Sequence, residues 1–334
     1  MKNKEKIFAL LCFGVLLTVA FSLIGCNGIG NGDETSETET VYYTVKFDSN
    51  GGSKIADMEL KKNELINRPD DPVYEGYIFA GWYEGTMAWD FDEFTVESDM
   101  TLKAKWVNAS TVYSHEINEG GTVTITGYKD QRVEMAVPSM IEGLPVTHIA
   151  DEAFKGIDAE KVFHITLPET VTHVGFKSFA DCSGIEITVK GGLLQVGEHA
   201  FLNCDKLTEV HFGEGMTTVS YGAFSGCLGL KEVFLSDSVT LIDENAFEEC
   251  EGLVKVVFGS KLGKVGDGAF RFCDGIQAIF YRGTSADDYE NIEIEGANDT
   301  LEDASVYIYS ETKPATDAKK YWHFDDNGQP RIYN

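Results

Sequence analysis

Six phenylalanines recur at near-constant intervals in the second half of the chain. They are Phe154, Phe179, Phe201, Phe224, Phe247 and Phe270, separated by 25, 22, 23, 23 and 23 residues. A unit this short cannot close a core of its own, so successive copies must stack on one another, which restricts the region to a solenoid. One full copy reads AFSGCLGLKEVFLSDSVTLIDEN, in which Ala223, Phe224, Cys227, Leu230, Val233, Leu235, Val239 and Ile242 recur as small or apolar residues. The residues between them vary, so the recurring positions face inward and the others face water. Two copies depart from the pattern: the first carries two extra residues around Ala159 and the second is one short near Gly191 and Gly192. Those rungs are expected to bulge.

Each later copy also carries one cysteine in a fixed place: Cys182, Cys204, Cys227, Cys250 and Cys273. In the first copy Ile157 fills that column, so the position accepts a purely apolar side chain, and cysteine packs as a small hydrophobe. A zinc site needs its ligands clustered around one centre, whereas these thiols are spread one per rung with no histidine beside them. A reactive thiol needs an exposed, electropositive setting. A disulfide between neighbouring rungs stays open, because Cα atoms about 5 Å apart lie within bonding range, although parallel side chains reach the required torsion poorly.

The repeat resembles the BspA-type, or treponemal, leucine-rich repeats. LPETVTHVGFKSF comes closest to that family's LPxxVxxIGxxAF, and TVTITGYKDQRVEMAVPSMIEGLPVTHI looks like its N-terminal segment. The resemblance covers residues 115–282 and implies a strand in each rung whose alternate residues project outward. Two outward columns follow. Glu209, Glu232, Lys255 and Ala278 form the first; Thr166, Thr188, His211, Phe234, Val257 and Phe280 form the second. Glu209, His211, Glu232, Phe234, Lys255, Val257 and Phe280 are therefore the candidate ligand-binding residues. Exposed Phe234, Val257 and Phe280 would form a contiguous apolar patch of the kind that marks an interaction site. The alternative is that residues 283–334 fold back as a C-terminal β cap, with ASVYIYSE and a hairpin around Asn327-Gly328 burying their aromatics there.

Upstream, residues 41–107 alternate as strands do, with a Gly51-Gly52 turn and a loop broken by Pro69 and Pro72. YTVKFDSNGGSKIADMEL, EGYIFAGWYEG and WDFDEFTVESDMTLKAKW resemble the B-repeat of internalins and other bacterial surface proteins. That resemblance implies a small β-grasp-like spacer or adhesion module; Trp82, Trp89 and Trp106 could stack on sugars, but in a core this small they are expected to fill it. The expected fold is mainly β with short irregular or helical turns: this module, then the leucine-rich solenoid, then the cap.

The N-terminus reads as an export signal: Lys2, Lys4 and Lys6 precede the apolar run Ile7 to Ile24, whose 18 residues could also just span a bilayer as an uncleaved anchor helix. LIGC, Leu23 to Cys26, resembles the lipobox of bacterial lipoproteins, which implies cleavage of residues 1–25 and lipidation of Cys26. Residues 26–40 are rich in Gly, Ser, Thr and acid and read as a flexible tether. The expected location is extracytoplasmic, anchored by lipid to the bacterial membrane and exposed at the surface.

The 27 Lys+Arg against 55 Asp+Glu give a formal charge of -28, which removes nucleic acid and acidic membrane surfaces as default partners. No phosphate-cradling loop, dinucleotide fingerprint, zinc-protease helix or serine elbow occurs. Neither ADDYENIEIEGANDTLED nor WDFDEF has the spacing of a calcium loop. His148 and His173 occupy matching positions and are expected to stack as surface polar residues. No catalytic, cofactor or metal residue is assigned. The reading is a non-catalytic, adhesin-like surface protein presenting a concave face to a protein or glycan. An envelope scaffold without foreign ligand is the alternative, and a glycan hydrolase is the weakest. A binder should expose Phe234, Val257 and Phe280; a scaffold should bury them under the tail; a hydrolase should converge two carboxylates over an apolar floor.

Overall fold

The computed structural model describes residues 40–129, 134–159, 164–315 and 320–333. The expected signal, the expected lipidation site Cys26 and all of the expected tether but Thr40 lie outside the described residues. Residues Val41–Asn334 form one compact unit.

Its first part is a five-stranded sheet in the order Met58–Lys61, Tyr42–Asp48, Met100–Asn108, Tyr77–Glu84, Met87–Ala88. The pair Tyr42–Asp48 and Met100–Asn108 is parallel; the outer pairings are antiparallel. Val45, Phe47, Ile66, Trp82, Val96, Leu102 and Ala104 form the core, with the Phe47 and Trp82 rings edge to face at 5.0 Å. Trp106 donates its indole N–H to the Ser49 carbonyl at 2.9 Å and lies so close to the turn that a Cβ on Gly52 would sit 2.5 Å from its Cζ2. The NGG turn is therefore fitted to the tryptophan of the closing strand. Met100–Asn108 runs directly into the helical turn Ala109–Val112, and Ile78 and Val107 pack against the solenoid core.

Every rung of the solenoid contributes to two parallel ladders. The strand face is built from Glu134–Ala136, His164–Leu167, Glu186–Val189, Glu209–His211, Glu232–Phe234, Lys255–Phe258, Ala278–Tyr281 and Ser305–Tyr309. Between the two faces the chain turns through left-handed residues on both sides of each phenylalanine. Two residues before it stand Glu152, Lys177, His199, Gly222, Asn245 and Gly268; two after it stand Gly156, Asp181, Asn203, Gly226, Glu249 and Phe272. These turns aim each phenylalanine inward, where its N–H donates to the next rung: Phe201 to Ala223 O, Phe224 to Ala246 O and Phe247 to Ala269 O, each at 2.8 Å. The six rings stack face to face at 5.1 to 5.3 Å.

Both ladders are interrupted at the short rung. Glu186–Val189 does not pair with Glu209–His211, nor Gln195–Val196 with Thr218–Val219. Here Gly191 crosses the Glu169 backbone so closely that a Cβ would lie 2.7 Å from its carbonyl oxygen. Leu193 bridges to Phe212 instead, its N–H bonded to His211 O and its carbonyl to Gly213 N–H.

The two ends are closed by side chains. Tyr113 meets the Phe154 ring edge-on and donates its hydroxyl to Ala136 O at 3.0 Å. At the other end buried Asn298 imitates a missing rung: its Oδ1 accepts the Phe270 N–H at 2.9 Å, and its Nδ2 donates to Gly266 O.

Candidate binding face

In-register parallel pairing aligns outward side chains into columns. One column reads His164, Glu186 and, past the interruption, Glu209, Glu232, Lys255, Ala278 and Ser305; the other reads Thr166, Thr188, then His211, Phe234, Val257, Phe280 and Tyr307. The sequence placed Glu209, Glu232, Lys255 and Ala278 in the first column and Thr166 to Phe280 in the second; His164, Glu186, Ser305 and Tyr307 are additions from the structure. It did not supply their neighbours.

The apolar end of the second column is covered, which corrects the expectation that Val257 and Phe280 offer themselves to a ligand. Val257 is 1% and Phe280 4% exposed, because fully buried Trp322 packs on both. The Trp322 ring meets Phe280 edge-on at 5.5 Å, and its indole N–H donates to Tyr281 O at 3.0 Å. The strand Tyr321–Phe324 reaches this position by extending the same sheet beyond Ser305–Tyr309, with Pro330–Ile332 turned back as a hairpin. A buried tryptophan favours a partner for its N–H, and the carbonyl at the end of the inner strand Ala278–Tyr281 provides one. Phe234 stands at the margin of the covered zone, half-buried.

What stays open is polar. Glu209 and His211 are exposed, with His211 Nε2 at 2.9 Å from Glu209 Oε1, and Lys255 Nζ reaches Glu232 Oε1 at 2.6 Å across adjacent strands. Nearer the N-terminal end, His164 Nε2 lies 3.1 Å from Thr188 Oγ1 and 3.4 Å from Thr166 Oγ1. There the proline-broken loop of the first sheet comes down beside the strand face. Arg68, Pro69, Asp70 and Asp71 line one side of a cleft of about 400 Å³, and Ala136, His164 and Thr166 the other. Arg68 Nη2 pairs with Asp71 Oδ1 at 3.2 Å. Sequence reasoning missed this cleft, since nothing in the spacing of the two prolines says which part of the solenoid the loop faces.

The cysteines belong to the core. All five are buried and free, and each thiol donates to the carbonyl of the phenylalanine one rung earlier: Cys182 to Phe154, Cys204 to Phe179, Cys227 to Phe201, Cys250 to Phe224 and Cys273 to Phe247, at 3.0 to 3.2 Å. Burial pushes the Cys182 thiol up to about 11 and raises Cys204, Cys227 and Cys250 well above the ordinary thiol value, so these four are protonated at neutral pH and unavailable as nucleophiles. On the second ladder, where Leu144–Ile149 pairs in parallel with His173–Val174, His148 and His173 stack at 4.3 Å, each with its Nδ1 on the hydroxyl of the preceding threonine. Among the described residues no group of three or more His, Cys, Asp or Glu is placed to hold a metal ion. No helix among them is long and apolar enough to cross a membrane.

Comparison with known proteins agrees with this architecture. Residues 147–277 match the BspA-type leucine-rich repeat region in six copies, and residues 43–105 match the Listeria-Bacteroides repeat domain. The chain carries these two modules in tandem, the repeat domain first. A protein of Evansella cellulosilytica named as a membrane protein is 46% identical over 86 residues, 25% of this chain and 13% of its own length. Internalin H of Listeria monocytogenes is 34% identical over 105 residues, 30% of this chain and 19% of its own. This chain thus spans less than a fifth of the length of these curated relatives. Among solved structures, a leucine-rich repeat protein of T. pallidum is 23% identical, covering 57% of this chain and 80% of that one at a TM-score of 0.36. A leucine-rich cell surface protein of Faecalibacterium prausnitzii is 24% identical, covering 66% and 59% at a TM-score of 0.41.

Proposed function

We propose that this is a non-catalytic binding protein of the bacterial cell surface, held by a lipid on Cys26, whose strand face recognises an external protein or glycan. The observation that carries the reading is the open strand face on which Thr166 pairs in register with Thr188 and, past the interruption, His211 with Phe234, flanked by Glu186, Glu209 and Glu232. Such a surface offers hydroxyl, imidazole and carboxylate groups at strand spacing on a rigid support, which suits selective contact without chemistry. The matches to Internalin H and to proteins named for the membrane support a surface location. The full chain should be probed against arrays of extracellular-matrix proteins and glycans, beside His211→Ala and Phe234→Ser. Loss of at least about tenfold in capture is expected from removing a hydrogen-bonding or packing group at the contact. Unchanged capture by both variants would remove the strand face from the account. Lipidation is tested by metabolic labelling with a fatty acid, which Cys26→Ser should abolish.

A second reading, an envelope scaffold that binds no foreign ligand, is favoured by the closure of Val257 and Phe280 under Trp322. It predicts that no arrayed probe is retained and that deleting the protein alters the envelope itself.

A further inference from the structure

The loop Arg68–Asp71 stands over the first rungs of the strand face, so the first module is more than a spacer. Resting on the strand-face reading, we infer that the cleft between this loop and the strands Glu134–Ala136 and His164–Leu167 is a saccharide subsite for a neutral glycan that continues along the open columns.

Three observations lead there. First, the described residues that line the cleft, Arg68, Asp70, Asp71, His164 and Thr166 with Pro69 and Ala136 between them, include no large apolar side chain. A polypeptide ligand gains most of its affinity from aromatic or aliphatic anchors in desolvated pockets, and the strand face has shut its apolar stretch beneath Trp322. What it leaves accessible is hydrogen-bonding capacity. Second, the groups alternate between donor and acceptor at close range. The Arg68–Asp71 pair presents guanidinium N–H and carboxylate oxygen side by side, and His164 is linked at 3.1 and 3.4 Å to the Thr188 and Thr166 hydroxyls. Adjacent hydroxyls of a sugar ring both donate and accept, so they can engage such pairs without stranding a charge. Third, the volume of about 400 Å³ falls within the range of about 300–1,000 Å³ typical of small-ligand clefts. The surface beyond it runs from Thr166 to the adjacent Thr188 and, past the interruption at the short rung, to His211 and Phe234 before Trp322 closes it. The ligand is bounded at both ends, by the loop and by the cap.

The sign of the charge narrows the class. Arg68 offsets one of Asp70 and Asp71, and the chain as a whole carries -28, so uronic or sialic sugars are disfavoured relative to neutral ones.

The test is a glycan microarray containing neutral and anionic oligosaccharides, probed with the full chain and with Asp71→Asn, His164→Ala and His211→Ala. Thermal melts confirm that each variant is folded. Capture of neutral glycans, weakened about tenfold or more by both Asp71→Asn and His164→Ala, is the expected result. Neutral-glycan capture lost in His211→Ala but unchanged in Asp71→Asn would overturn the loop's part and leave the strand-face reading standing. Capture of anionic glycans alone, or of arrayed polypeptides alone, would overturn the neutral-saccharide assignment and leave the same reading standing. No capture of any probe would overturn both.

Discussion

Ile157 explains why cysteine fills the other rungs. A thiol in that column donates to the phenylalanine carbonyl one rung earlier, and the first repeat has no preceding phenylalanine to receive it. An isoleucine there loses nothing. At the far end Thr300 Oγ1 donates to Phe270 O at 3.0 Å, filling the role of the absent next cysteine. The column was legible in the sequence as apolar; its donor role was not, because Ile157 argues against it and the carbonyl it serves is two dozen residues away. Cys227→Ala should remove both the packing and the donor to Phe201 O, at a cost of about 1–2 kcal/mol. Urea unfolding would measure this, and a change below a few tenths would reduce the thiols to space filling.

The stacked histidines also make a prediction. Burial first, and then the neighbouring His173, lower the His148 value from its ordinary 6.5; burial and Lys177 lower His199 likewise. With the folded value below the unfolded one, the unfolded chain binds more protons as pH falls through 6.5. The associated stability is therefore present above that pH and lost as pH falls through the lowered folded value. The melting temperature should drop between pH 7.5 and 5, and His148→Gln combined with His199→Gln should flatten the drop. An unaltered slope in the double variant would place the sensitivity elsewhere.

At the scale of elements, the terminal strand Tyr321–Phe324 decides how much of the strand face can work. Its Trp322 lies on residues from two rungs, so Trp322→Ala should uncover Val257 and Phe280 and destabilise the last rungs by about 3–5 kcal/mol. Increased binding of a hydrophobic dye is the expected readout, and a dye response no different from the parent would contradict the cap. The solenoid and most of its outward columns were readable from a near-constant period. The cap and the loop Arg68–Asp71 were not, because each acts across contacts far apart in sequence: Trp322 bonds to Tyr281, and Arg68 lies across the cleft from His164. Periodicity reports which residues face outward and is silent about what then covers them. The break at Gly191 sits between the two cases, since the missing residue was visible but the loss of both ladders at one rung was not.

At the scale of the whole molecule, stacked phenylalanines and buried thiols fill the interior of the solenoid, and the proposed function rests on its outer strand face. The B-repeat loop bounds that surface at one end and the C-terminal tryptophan at the other. Carbethoxylation of histidines, followed by mass spectrometry with and without a glycan retained on the array, tests this most directly. Protection of His164 and His211, with His148 and His173 on the second ladder labelled as before, is the predicted result. Protection of His148 and His173 with His164 and His211 unchanged would contradict it.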